Sequence, residues 1–114
     1  MTMADIIIDF NELVRSQHKT LFAGRANGRK ASELFGVDKF DRENKDILKF
    51  EIPKDIVVSS SYFLGMLENI LPKFTSLTDF YTFARLGNEN YKEGMLKELD
   101  RALERGLYNN EPFF

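Results

Sequence analysis

Three consecutive serines, Ser59, Ser60 and Ser61, are the strongest candidates for chemistry in this sequence. They follow an apolar run that predicts a buried strand, and they precede apolar residues at helical spacing. A hydroxyl at the start of a helix accepts from the unpaired N–H groups there, so one serine is expected to be a structural cap. The same position favours a phosphate, because the helix dipole and the free N–H groups stabilise an added anion. These serines and the adjoining Tyr62 are therefore candidate phosphorylation or partner-binding residues.

Residues that commonly carry catalysis are scarce. The single histidine, His18, lies in a polar segment and is expected on the surface. The serine run lacks the glycines of a G-x-S-x-G nucleophile elbow, and the absence of cysteine excludes a thiolate nucleophile, a thiolate zinc site and a disulfide. The acidic residues before the second expected strand lack the spacing of a calcium loop; they are Asp38, Asp41, Glu43 and Asp46. We therefore expect no enzyme activity, no metal and no cofactor.

A second candidate site is the glycine-containing segment 24–28 and the basic residues around it. The segment is not a phosphate-binding P-loop, because the Gly-Lys-Ser/Thr ending is missing. It places Arg25, Arg29 and Lys30 near an expected helix start, where cations oppose the helix dipole. A bound anion would relieve that repulsion, so these three are candidate anion-binding residues. The alternative is that their side chains are solvated or pair with Glu33.

The elements that position these candidates alternate along the chain. Strands are expected over three segments, residues 4–10, 47–52 and 77–86, and an extended run over 55–58 leads into the serines. Helices are expected over residues 30–35, from Ser61 to Pro72, and from Asn90 to a capping Gly106, with Asn90 and Glu93 as a capping box. Such alternation predicts an α/β fold, with a mostly parallel or mixed sheet and helices packed on it.

Burial and irregular segments are also predicted. The continuous run Ile6-Ile7-Ile8 is typical of a strand buried on both faces, as at the centre of a parallel sheet. Residues 11–20 are expected to form a loop, 24–29 to form turns, and 37–46 to be charged and exposed. In the last helix, Glu98 is expected among the charged residues of the outer face.

Length and charge narrow the class of protein. A chain of 114 residues with 43% hydrophobic residues fits one domain, with a core over about residues 4–107 and a short tail over 108–114. The net charge of -2 argues against nucleic-acid binding. The N-terminus lacks the pattern of a secretory signal, and no apolar run is long enough to span a membrane. A cytoplasmic location and no membrane association are therefore expected.

Two stretches carry a resemblance to a known family. One is Gly24-Arg25-Ala26-Asn27-Gly28-Arg29 with residues 31–35, and the other runs from residues 47–50 through residues 59–64. With these elements, the chain resembles the STAS-like domains, the fold of bacterial anti-sigma-factor antagonists. It is most similar to the small bacterial STAS-like family of unknown function. The resemblance covers roughly residues 4–86 at the level of pattern.

The resemblance implies a site and a partner. In the antagonists the helix begins with Asp-Ser-Ser-Gly, and the second serine is phosphorylated. Ser60 and Ser61 match the two serines, whereas Ser59 stands at the aspartate and Tyr62 at the glycine. Because the aspartate is missing and Tyr62 is bulky, the resemblance supports the fold more strongly than it supports phosphorylation of the serines. The partner implied is a histidine-kinase-like ATPase domain.

The sequence thus predicts a non-enzymatic regulatory module that docks on a protein partner through residues 59–64, with Ser61 tuning the interaction by capping or phosphorylation. The alternative is a small anion- or nucleotide-binding domain that uses Arg25, Arg29 and Lys30. A third possibility, a small inhibitor protein, is supported by size alone. The identity of the partner and the oligomeric state are left open.

Overall fold

Strands and helices alternate through the part of the chain that the structure, a computed structural model, describes: residues 5–53, 55–86 and 93–108. The strands are β1 (Asp5–Asp9), β2 (Leu21–Phe22), β3 (Ile47–Glu51), β4 (Val57–Val58) and β5 (Ala84–Leu86). The helices are α1 (Phe10–Gln17), α2 (Arg25–Phe35), α3 (Ser60–Leu67), α4 (Leu77–Thr82) and α5 (Glu93–Tyr108). Short 3-10 turns lie at Val37–Lys39 and Leu71–Lys73.

The strands form two parallel sheets. One has the order β1-β3-β5, with Asp5 opposite Ile47 and Leu48 opposite Ala84, and the other joins β2 to β4. The α/β fold class and the parallel pairing predicted from the alternation are confirmed. The central strand is β3, and its burial alternates as the two-residue period of a strand requires, with Leu48 and Phe50 in the core.

The prediction that the first strand is central is wrong. Among the described strands, β1 pairs only with β3 and lies at the edge of its sheet. Ile8 is fully buried, whereas Ile7 is 49% exposed. A run of three isoleucines therefore does not require burial on both faces, because β3 has a partner on each side and takes the central place.

The expected loop over residues 11–20 contains helix α1. The carboxylate of Asp9 caps this helix by accepting a hydrogen bond from the backbone N–H of Asn11, at 2.9 Å. Phe10 and Leu13 are buried and Val14 packs against them, which is the i, i+3, i+4 spacing of an apolar helix face. The spacing starts at Phe10, a residue that the pattern of the preceding isoleucines had assigned to the strand.

Helix α2 begins at Arg25, so the turns expected over residues 24–29 are wrong. Gly28 lies inside the helix and is buried, because the backbones of α2 and α3 approach very closely there. A Cβ atom on Gly28 would lie 2.0 Å from the carbonyl oxygen of Tyr62. A Cβ atom on Gly65 would lie 2.0 Å from the carbonyl oxygen of Arg25. The glycines serve helix packing here, not chain reversal.

The third expected strand is mostly helix. Ser76 caps α4 by accepting from the N–H of Asp79, at 3.1 Å, and residues 84–86 alone form β5. The aromatic residues that suggested a strand line a helix face and the following turn. Phe74, Phe80 and Phe83 form a cluster of ring contacts.

Three other boundaries differ from expectation. Helix α3 ends at Leu67, and Pro72 lies within the separate 3-10 turn Leu71–Lys73. Gly106 lies inside α5, where a Cβ atom would meet the Cδ1 of Leu71 at 2.0 Å. The expected capping residue Asn90 lies outside the described residues.

The segment 37–46 is not uniformly exposed. Val37 and Phe40 are core residues, and Asp46 is 5% exposed. The carboxylate of Asp46 accepts from the N–H of Asp41 at 3.0 Å and from Asn44 at 2.8 Å. These acidic residues therefore shape a loop.

Aromatic rings fill the core between the sheets and the helices. One group, made of Phe10, Phe22, Tyr62 and Phe63, packs where α1, β2 and α3 meet. It fixes the first turn of α3, and therefore the serine run. Within the described residues, no helix combines the length and apolar character needed to cross a membrane.

Candidate functional site

The serine run joins β4 directly to α3. Ser59 is the N-cap residue, and its hydroxyl oxygen accepts a hydrogen bond from the backbone N–H of Tyr62, at 3.2 Å. The prediction that one of the three serines caps the helix is confirmed, but the capping residue is Ser59; the capping role offered for Ser61 is wrong, since Ser61 lies inside α3. Ser59, Ser60 and Ser61 are all partly exposed, which leaves hydroxyl groups at the surface of the junction.

A carboxylate from the last helix contacts the same helix start. Glu98 accepts a hydrogen bond from the backbone N–H of Ser60 through Oε1, at 2.8 Å, and binds Arg101 through Oε2, at 2.9 Å. The expectation that Glu98 lies on the outer face of its helix is wrong. The first N–H groups of a helix favour an anion, and Glu98 takes that position. The two residues are 38 positions apart, so no local spacing could have revealed the contact.

The rest of α3 is inaccessible. From Tyr62 to Leu67 every residue is buried, and Tyr62 itself is only 2% exposed. Burial raises the pKa of Tyr62 to about 12. The prediction that residues 59–64 form a docking surface is therefore corrected: Tyr62, Phe63 and Leu64 lie in the core, and the serines alone reach the surface.

Apolar side chains next to the serines extend this surface. Leu21 and Val57 lie opposite each other in the β2–β4 pair, and these residues are 59% and 51% exposed. Their neighbours Phe22 and Val58 point inward and are buried. The outer face of this small sheet thus presents two aliphatic side chains to solvent, immediately before Ser59 in the chain.

A pocket of about 270 Å³ adjoins the same strand. Its walls come from β4 and from the first two turns of α5, and its lining residues are Ile56, Val57, Val58, Gly94, Met95 and Glu98. Among the described residues of this lining Glu98 alone is charged, and it also contacts Ser60. We call Leu21, Val57, the serines and this pocket the junction surface.

The second candidate site has an internal partner. The Nε atoms of Arg25 and Arg29 both donate to the carboxylate of Glu68 at the end of α3, the first at 2.7 Å. Burial alone would raise the pKa of Glu68, but the hydrogen bonds and charges of the two arginines outweigh it and lower this pKa. The expected partner Glu33 is replaced by Glu68, which supplies a negative charge beside the start of α2.

The remaining predicted residues lie elsewhere. Lys30 makes no ion pair within the described chain and borders a different cavity, together with Lys19 and Tyr62. His18 is exposed, as expected, and ends α1 in a left-handed conformation with φ of 54°. In the described ranges no group of three or more His, Asp or Glu side chains is placed to hold a metal ion.

The fold and this geometry define a class: a small α/β domain with two parallel sheets and an apolar surface beside a capped helix start. Comparison of the chain with family models, with curated proteins and with solved structures finds no match. The resemblance to STAS-like domains stays a prediction.

Proposed function

We propose that this chain is a non-enzymatic regulatory module that binds a protein partner through the junction surface. The observation that carries the proposal is the exposed pair Leu21 and Val57, set beside the serines and the apolar pocket. Aliphatic side chains gathered in this way on a small domain are typical of contacts with another protein. The resemblance to STAS-like domains supports the same function, with an ATPase- or kinase-like domain as the partner and the cytoplasm as the location.

The serines give this surface a means of regulation. Ser60 and Ser61 lie at its edge, so a phosphate there would add a charge of about -1.5 to -2 within contact range of the partner. It would also approach Glu98, which already holds the N–H of Ser60. Phosphorylation would therefore weaken the binding of a partner that recognises Leu21 and Val57. It would also weaken the contact that Glu98 makes between α3 and α5.

The binding proposal is tested with the double variant Leu21→Ser, Val57→Ser. Burying the exposed half of each side chain contributes about 1 kcal/mol, so the double variant should weaken binding roughly tenfold to thirtyfold. Binding is measured by titration calorimetry against purified histidine-kinase-like ATPase domains encoded in the same genome. Leu34→Ser is the matched control, since Leu34 is 60% exposed on α2, away from the junction surface.

The expected result is that the double variant loses affinity and Leu34→Ser does not. Failure of every such ATPase domain to bind the wild-type chain, or equal loss in both variants, would contradict the proposal. Incubation with the ATPase domain and ATP, followed by mass spectrometry, tests the regulatory step separately. If Ser59, Ser60 and Ser61 carry no phosphate and Ser61→Asp binds with wild-type affinity, regulation by phosphorylation is refuted. The proposed docking surface is not affected by that result.

A further inference from the structure

A small polar cavity lies apart from the junction surface. It has a volume of about 70 Å³ and is enclosed by the end of α1, the segment that follows it, the middle of α2 and one side chain of α3. Its polar lining consists of Gln17, Lys19, Asn27, Lys30 and Tyr62. None of the described residues that line it carries a carboxylate.

The side chain of Tyr62 is the unexplained feature of this cavity. It is 98% buried, since its exposure is 2%, yet its hydroxyl has no hydrogen-bond partner among the described residues. Its ring is flanked by Phe10 and Phe22, with centroids 6.1 and 5.6 Å away, and the residue contributes to the lining of the cavity. A buried hydroxyl without a partner is rare, because the unmade hydrogen bond is costly.

The charged residues among the described lining of the cavity, Lys19 and Lys30, are both positive. Neither Lys19 nor Lys30 forms an ion pair within the described chain, and Lys19 Nζ lies 5.4 Å from the centroid of the Phe22 ring. Asn27 donates through Nδ2 to the carbonyl of Ala23 at 3.0 Å, which leaves its second N–H. Because burial raises the pKa of the Tyr62 phenol to about 12, the phenol remains a donor at neutral pH.

Two lysines, a phenol and two carboxamides thus line one cavity, in which the described side chains supply amide oxygens but no carboxylate to balance the lysine charges. We infer that this cavity binds a small tetrahedral oxyanion of the phosphate class, held by Lys19, Lys30 and the hydroxyl of Tyr62. The site differs from the predicted one, because it takes Lys30 without Arg25 or Arg29, whose Nε atoms are bound to Glu68. The partial negative charge at the end of α1 opposes the anion, so we expect weak binding.

The inference is tested by titrating the full chain with inorganic phosphate, against sodium chloride at matched ionic strength, and following the thermal midpoint and two-dimensional amide spectra. Phosphate that binds only the folded state should raise the midpoint in proportion to the logarithm of its concentration. Glycerol 2-phosphate, run in parallel, distinguishes a site for the free ion from one that also accepts a phosphate ester. Binding of either probe supports the inference.

Three sets of variants separate this site from non-specific charge effects. Lys30→Gln should weaken phosphate binding tenfold or more, since it removes one charged hydrogen-bond donor. Tyr62→Phe should raise the midpoint without phosphate, because no hydroxyl is left unpaired, and should also abolish the phosphate response. Arg25→Gln and Arg29→Gln should keep that response, which marks them as controls.

Two outcomes would overturn the inference. One is that the wild-type chain has the same thermal midpoint in phosphate as in chloride. This result would mean that the cavity holds water only, even if Tyr62→Phe proves more stable than the wild type. The other is a phosphate response that survives Lys30→Gln and disappears in Arg25→Gln or Arg29→Gln. Neither outcome bears on docking through Leu21 and Val57, which is measured with a different ligand on a different face.

Discussion

The close contact between α2 and α3 makes a sharp prediction at Gly65. A Cβ atom there would lie 2.0 Å from the carbonyl oxygen of Arg25 and 2.8 Å from its carbonyl carbon. Ordinary contacts of a Cβ atom begin at 3.4 Å, so Gly65→Ala requires the helices to separate by about 1.4 Å, the difference between 3.4 and 2.0 Å. Backbone atoms form the obstacle, and they cannot rotate away as a flexible side chain can.

The cost of this separation follows from the core around the contact. Overpacking of a close-packed interior costs roughly 1–3 kcal/mol, and a backbone obstacle places Gly65→Ala near the upper end. Alanine regains a part of this, about 0.5–1 kcal/mol, through its better helix propensity. We therefore expect a net loss of about 2 kcal/mol, equivalent to a decrease of about 8 °C in the thermal midpoint of a domain of this size.

The assay is urea unfolding followed by circular dichroism, with thermal unfolding alongside. Gly94→Ala is the matched control: it makes the same substitution in helix α5, where a Cβ atom would meet nothing within 4 Å. It should raise stability by up to about 0.5 kcal/mol, since Gly94 lies in the first turn. A midpoint of Gly65→Ala equal to that of the wild type or of Gly94→Ala would refute the close approach of the helices.

Two further predictions concern side-chain contacts. Ser59→Ala removes the acceptor for the N–H of Tyr62 and should lower the free energy of unfolding by about 1 kcal/mol, while Ser59→Asp, which keeps an acceptor, should lose less. The guanidinium of Arg42 and the N–H of Thr75 hold the pKa of Asp79 at about 2, below its usual value of 3.8. The stabilisation from Asp79 is thus present above about pH 4 and lost as the pH falls through about 2, so unfolding midpoints of Asp79→Asn should decline less across this range. Parallel acid profiles for wild type and Asp79→Asn would contradict the ion pair.

Local patterns predicted the parts of this fold that depend on adjacent residues. The alternating burial of β3 and the cap at Ser59 both follow from spacing along the chain, and both are present. Helix α1 was missed because its apolar face starts at Phe10, where the isoleucine run already suggested strand. Phe10 fits both the apolar pattern of the strand before it and the apolar pattern of the helix after it. The boundary between the two elements is marked by Asp9, whose carboxylate caps the helix.

The contacts that define the site could not be predicted in this way. Glu98 meets Ser60 across 38 residues, and Arg25 meets Glu68 across 43. A charged residue on an amphipathic helix is usually solvated, and nothing in the spacing of α5 separates Glu98 from its exposed neighbours. The prediction of a turn at Gly28 is wrong for a related reason. A glycine in a polar segment is typical of a turn, and the close approach of the α3 backbone that requires glycine here involves residues far along the chain.

The contact between Glu98 and Ser60 joins the two halves of the junction surface into one unit. Glu98 lines the apolar pocket and also occupies the anion-favouring start of α3. A phosphate on Ser60 would therefore meet a carboxylate already in place, and the two anions would repel each other at contact distance. Rotation of the Glu98 side chain away from the N–H of Ser60 would relieve the repulsion and would remove a contact between α3 and α5. Because Glu98 also lines the pocket, modification of the serine would change the shape as well as the charge of the surface at which we propose that a partner binds.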